Sequence, residues 1–79
     1  MQITFTPATL RQWTKLDASV RKRIRSKIEI FAETGGGDVK KLQGRGGLRL
    51  RVGDFRVIFY TEDQALVVVA VGDRCDIYD

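Results

Sequence analysis

Arginines are the side chains in this sequence best suited to chemistry. Arg49 and Arg51 alternate with Leu48, Leu50 and Val52, and Arg56 lies between Phe55 and Val57 just beyond Gly53-Asp54. Alternation at period two marks strands with one apolar face, and a glycine-first dipeptide between two such runs predicts a two-residue type II′ hairpin. That turn fixes the register: Val52 flanks Phe55, Arg51 opposes Arg56 and Leu50 opposes Val57. Three guanidiniums then share one sheet face, while Leu48, Leu50, Val52, Phe55, Val57 and Phe59 share the other. Like charges directly opposite one another across a strand pair are destabilising. An anion held between them accounts for the arrangement, and the planar fork of arginine suits the oxygens of phosphate. The blander explanations are an acidic protein partner, or an internal pair such as Arg49 with Asp76.

The composition narrows what such a face can do. The 79 residues include no histidine and one cysteine, Cys75. Histidine acid–base catalysis and metal sites built on His or several Cys are excluded, so neither a metal nor another cofactor is expected. Any enzyme here works with Arg, Lys, Tyr, Asp, Glu, Ser or Thr. Cys75 sits beside Arg74 but has no base to activate it, and reads as a small buried apolar residue. If the tail from Arg74 is extended, Arg74, Asp76 and Tyr78 fall on one side. The Tyr78 phenol is suited either to closing the core edge, or to stacking on a base or exchanging a proton with a sugar hydroxyl.

Charge is unevenly distributed. The formal net charge is +4, with a pI near 9.6. From Arg11 to Arg51 twelve basic residues face four acids, a net +8, whereas residues 52–79 carry a net −4. A basic sector favours a polyanionic partner such as nucleic acid, a membrane surface or an acidic protein. No apolar run approaches the ~20 residues of a membrane helix. Met1-Gln-Ile-Thr-Phe lacks the basic start and apolar stretch of a signal peptide. A lone thiol suits a reducing compartment. The expected setting is cytoplasmic, without membrane attachment.

The elements that must position the arginines are legible from pattern. A chain of this length makes one domain, residues 1–79. Ile3 and Phe5 alternate with polar residues as a short strand. Thr6 offers an N-cap and Pro7 a first helical position, followed by an apolar stripe of Leu10, Trp13 and Leu16. Asp17 is the expected cap of a second helix, with its carboxylate placed against the helix dipole. That helix carries the stripe Val20, Ile24, Ile28, Phe31 and Ala32, and Gly35-Gly36-Gly37 ends it. Asp38 to Gly47 reads as a basic, glycine-rich loop containing Lys40, Lys41 and Arg45. After the hairpin comes a turn at Glu62-Asp63-Gln64, then Leu66 to Val71, apolar on both faces as in an interior strand. Gly72-Asp73 is expected to break it. The predicted order is β-α-α-β-β-β, an α+β domain with a helical hairpin on one face of a small twisted, mainly antiparallel sheet.

Taken in order, the segments Ile3-Thr-Phe-Thr-Pro-Ala8, Leu16-Asp-Ala-Ser-Val-Arg-Lys-Arg-Ile24, Val39-Lys-Lys-Leu-Gln-Gly44, Gly47 to Tyr60 and Val71-Gly-Asp-Arg-Cys-Asp-Ile-Tyr78 resemble the RelE/ParE toxin superfamily. The likeness runs through essentially the whole chain and is nearer its RelE-like ribonuclease branch. The resemblance implies a toxin of a type II toxin–antitoxin pair that cuts mRNA in the ribosomal A site. It makes Arg56 the arginine on the scissile phosphate, Arg74 a second phosphate or leaving-group arginine, and Tyr78 the C-terminal tyrosine of the catalytic set. Arg49 and Arg51 become the basic pair on the preceding strand, with Lys40, Lys41 and Arg45 as further RNA-binding residues. Its implied partners are a cognate antitoxin with an acidic, amphipathic segment, mRNA on the ribosome, and operator DNA through the antitoxin. Many relatives carry His or Lys where this chain has Asp73, an acid that repels RNA. The alternative within the superfamily is a ParE-like inhibitor of DNA gyrase, with the same fold and no nuclease activity.

Overall fold

The computed structural model describes residues 2–42 and 46–73. The expectations for Arg45, Arg74, Cys75, Asp76 and Tyr78 lie outside these residues. Strand β1 (Gln2–Phe5) passes directly into helix α1 (Pro7–Thr14). Thr6 caps α1 by accepting the Thr9 N–H at 3.3 Å, and its hydroxyl also meets the Thr9 hydroxyl at 2.6 Å. Pro7 follows in the first turn, where its missing N–H costs nothing. Helix α2 (Ala18–Thr34) ends at Gly35, whose φ of 75° is the left-handed conformation a glycine adopts without a Cβ clash. Asp17 is the N-cap residue of α2 by position, but its carboxylate makes no capping hydrogen bond. The hairpin is secured instead by Arg21, whose guanidinium donates to the carbonyls of Thr14, the last residue of α1, and Leu16 just beyond it.

The helices lie against a five-stranded sheet formed by β1, β2 (Val39–Lys41), β3 (Leu48–Val52), β4 (Phe55–Glu62) and β5 (Ala65–Asp73). The order is β1-β5-β4-β3-β2, with β1 parallel to β5 and every other pair antiparallel. Ile24 and Ile28 of α2 pack with Leu50, Val52, Val57, Phe59, Leu66, Val68 and Val71 of the sheet as the buried core. Each such side chain contributes roughly 1.5–3 kcal/mol when fully removed from water. Phe31 meets Phe59 edge-on at 5.0 Å, and Trp13 ties α1 to β1 through Phe5 at 5.0 Å.

The α+β layout matches the sequence pattern, with four departures. Val39–Lys41 is a strand, where the sequence read as loop; it is held by pairing with β3 alone, as Val39↔Leu50, Lys40↔Arg49 and Lys41↔Leu48. Gly72 and Asp73 do not break the last strand, because Arg56 and Phe55 pair with them. Leu10 is 49% exposed rather than part of the inward stripe; Thr9 takes the buried position on α1. The register between β4 and β5 slips between Ile58 and Phe59, so that Ile58↔Ala70 is followed by Phe59↔Val68, leaving Val69 as an extra residue. This bulge reverses the inward–outward phase of β5, which is why Val68 and Val71 both reach the core and why the run is apolar on both faces. Just past it, the Val71 N–H lies beyond the last residue of β1 paired to β5 and donates instead to Oε1 of Gln12 on α1, at 3.1 Å.

Candidate anion-binding face

The hairpin that carries the arginines forms as its turn chemistry dictates. Gly53 has φ of 60° and Asp54 does not have a positive φ, as a type II′ turn requires. The register follows: Val52↔Phe55, Arg51↔Arg56, Leu50↔Val57 and Arg49↔Ile58. Leu50, Val52, Val57 and Phe59 are buried against the helices, so alternation puts Arg49, Arg51 and Arg56 on the opposite face. The Arg51 N–H points away from β4, to the carbonyl of Asp38 at 3.0 Å. Arg51 and Arg56 are therefore a non-hydrogen-bonded pair, the closer kind, with Cα atoms ~4.5 Å apart. Arg49 stands diagonally from Arg56, within reach of long side chains at ~7–8 Å.

Register extends this cationic row on the β2 side only. Lys40 pairs with Arg49 and joins the arginine face. Lys41 pairs with Leu48 and so has the opposite parity; it is exposed at the sheet edge but does not share that face. On the other side, Arg56 pairs with Gly72 and Ile58 with Ala70. Neither Gly72 nor Ala70 adds a long side chain beside Arg56 on that side. Arg51 and Lys40 are exposed, whereas Arg49 and Arg56 are half-buried. Arg49, Arg56 and Asp73 each have an interaction partner.

The arrangement can bind a phosphodiester through several charge-assisted hydrogen bonds at once, each roughly twice as strong as a neutral one. It can also stabilise charge that accumulates on the non-bridging oxygens during reaction. Among the described residues, no three His, Cys, Asp or Glu side chains form a group able to hold a metal. No helix among them is long and apolar enough to cross a membrane. One outward residue had no role in the sequence reading: Tyr60, two positions beyond Ile58 on the arginine face and 40% exposed. The signal was present, since an aromatic at the outward phase of a strand is not there to fill the core.

Two helices packed on a mixed five-stranded sheet form the α+β fold of the RelE-like toxins. The family model described as the ParE toxin of the type II toxin–antitoxin system parDE matches residues 3–78. The chain belongs to this family, within the RelE/ParE superfamily, and is a toxin of a type II system. Among solved structures it is similar to the toxin in the RelB–RelE complex of Methanococcus jannaschii, at 24% identity over 95% of this chain and 94% of that one, with a TM-score of 0.77. The isolated Escherichia coli RelE toxin gives 25% identity over 91% and 82% of the two chains, with a TM-score of 0.73. A YoeB/ParE toxin of Agrobacterium tumefaciens gives 21% identity over 94% and 99%, with a TM-score of 0.80. A search of the curated proteins finds no match.

Proposed function

We propose that the chain is a metal-independent endoribonuclease that cleaves mRNA, presented in the ribosomal A site, by attack of a ribose 2′-OH on the adjacent phosphate. The observation that carries this reading is the Arg51–Arg56 pair, closely opposed on an outward face with Arg49 diagonal to it. Like charges placed in this way cost the free fold stability, and a phosphate held between them offsets that cost. In the reaction the 2′ oxygen bonds to phosphorus, the bond to the 5′ oxygen breaks and that oxygen takes a proton from solvent, leaving a 2′,3′-cyclic phosphate and a 5′-hydroxyl end. Arg56 stabilises the charge that builds on the non-bridging oxygens. Arg49, Arg51 and Lys40 orient the backbone, with Lys41 and Arg45 further along the RNA. Arg74 serves the phosphate or the leaving oxygen, and Tyr78 takes the proton from the 2′-OH. Positioning supplies most of the acceleration, since proton transfer contributes only ~10²–10⁴ and the ribosome aligns the strand.

The cognate antitoxin is proposed to cover this face with an acidic, amphipathic segment. The RelB–RelE pairs of Methanococcus jannaschii and Pyrococcus horikoshii and the YoeB–YefM pair of Staphylococcus aureus support a cognate antitoxin partner, though not the character of its segment. Operator DNA is reached through the antitoxin, and the site of action is the cytoplasm. A second reading, inhibition of DNA gyrase without RNA cleavage, is favoured by the parDE description of the matching family. The two separate on one induced culture and one purified sample. Mapping mRNA 5′ ends by primer extension should reveal new cleavages, and gyrase supercoiling should be unaffected. Inhibited supercoiling with intact messages would instead establish the gyrase reading.

A further inference from the structure

Tyr60 is a large aromatic on the same outward face as Arg56 and Ile58, and 40% of its surface is exposed. Ile58, between them on the same face, is buried. One residue beyond the Leu48↔Phe59 pair, β3 gives way to Gly47, which offers no side chain next to Tyr60. Tyr60 also lines a mostly apolar hollow of about 390 Å³ with Leu42, Gly46, Gly47 and Lys41. Lys41, whose parity keeps it off the arginine face, belongs to this hollow.

We infer that Tyr60 and its hollow take one unpaired nucleobase of the RNA whose phosphate lies on Arg51 and Arg56, with Lys41 meeting the phosphate beside that base. The inference rests on the ribonuclease reading and names a base-binding subsite for it. Two properties select a base over an apolar side chain. The hollow itself holds a cation, Lys41, and Tyr60 belongs by strand parity to the arginine face; an aromatic beside cationic side chains is the usual platform for single-stranded nucleic acid. The reach also fits. Four residues of strand separate Arg56 from Tyr60, ~13 Å at 3.3 Å per residue, which is the span of a few nucleotides. Every base has a π-face, so the subsite favours purines through stacking area rather than reading one base.

The test is single-turnover cleavage of a synthetic mRNA presented on ribosomes, with the base of one nucleotide at a time removed near the cleavage site. One abasic position should raise the half-saturating toxin concentration by about 5- to 150-fold. Tyr60→Ala should raise it equally with the intact RNA, leaving the maximal rate unchanged, and the two losses should not add. Tyr60→Phe and Tyr60→Trp should retain wild-type behaviour, because stacking needs the ring and not the phenol. The abasic series on the wild-type protein stands even if a Tyr60 variant folds poorly. Equal cleavage by Tyr60→Ala, or losses that add at every abasic position, would overturn the subsite while leaving the nuclease reading intact. Weakened antitoxin binding with unchanged cleavage would likewise overturn it and assign Tyr60 to the protein partner. A wild-type protein that cuts no RNA would overturn both.

Discussion

The like-charge pair at the centre of the site should cost the free protein stability, and removing it should separate folding from function. Arg51 and Arg56 are directly opposed in a non-hydrogen-bonded pair next to the turn. Cross-strand pairs are worth roughly 0.2–1 kcal/mol, and repulsion is of similar size. Replacing repulsion with attraction in Arg51→Glu should therefore stabilise the fold by about 1 kcal/mol, which raises Tm by about 4–8 °C in a domain this small. Arg51→Gln should give about half of that. The assay is thermal unfolding of the purified toxin at 10 mM and at 1 M salt, where the screening length falls from ~30 Å to ~3 Å. The margin should be largest at low salt and should shrink by more than half at high salt. Added phosphate should stabilise the wild type and not Arg51→Glu, since a ligand of the folded state shifts the midpoint through its own binding. A variant no more stable than wild type at 10 mM, or a margin indifferent to salt, would refute the idea that charge proximity is being tolerated for an anion.

Other perturbations test the scaffold and the electrostatics. In Gly53→Ala the new Cβ meets φ of 60° and lies 2.6 Å from Nη2 of Arg23, whose flexible end must swing aside; unfolding should show a loss of about 1–2 kcal/mol. Gln12→Ala leaves the Val71 N–H beside the bulge without its acceptor. It should cost about 1 kcal/mol and raise hydrogen exchange at that amide by about 5-fold or more. Arg51→Ala should lower the slope of log K against log salt for single-stranded RNA by about 0.7, the share of one phosphate contact. Binding that weakens with an unchanged slope would place Arg51 away from the backbone.

Legibility of the fold followed the strength of local rules. A two-residue turn with glycine first leaves one register, so the pairing of Arg51 with Arg56 could be read directly from the sequence. The α2 stripe was equally plain, because Ile24 and Ile28 recur one helical turn apart with charged residues between them. Strand β2 was not legible. Its three residues, Val39, Lys40 and Lys41, are too few to show an alternation and acquire strand geometry only by pairing with β3, a tertiary effect with no local signature. Gly72-Asp73 has the composition of a break, yet the long neighbour β4 templates two further pairs. Leu10 has helical spacing to Trp13, but the cap contact between Thr6 and Thr9 turns Thr9 inward and leaves Leu10 outside. The site divided in the same way. Arg49, Arg51 and Arg56 were set by the turn, whereas the separation of Lys40 from Lys41 depended on a strand that the sequence did not announce.

Cleavage of ribosome-presented mRNA by Arg56→Ala beside the wild-type toxin tests the account most directly. Both proteins should melt cooperatively, since the substitution lies on the outward face, and Arg56→Ala should cut ~10²–10³-fold more slowly at the same positions, the usual loss for one donor that stabilises developing charge. Cleavage at the wild-type rate, with the same 5′ ends, would contradict a phosphodiester held on this face.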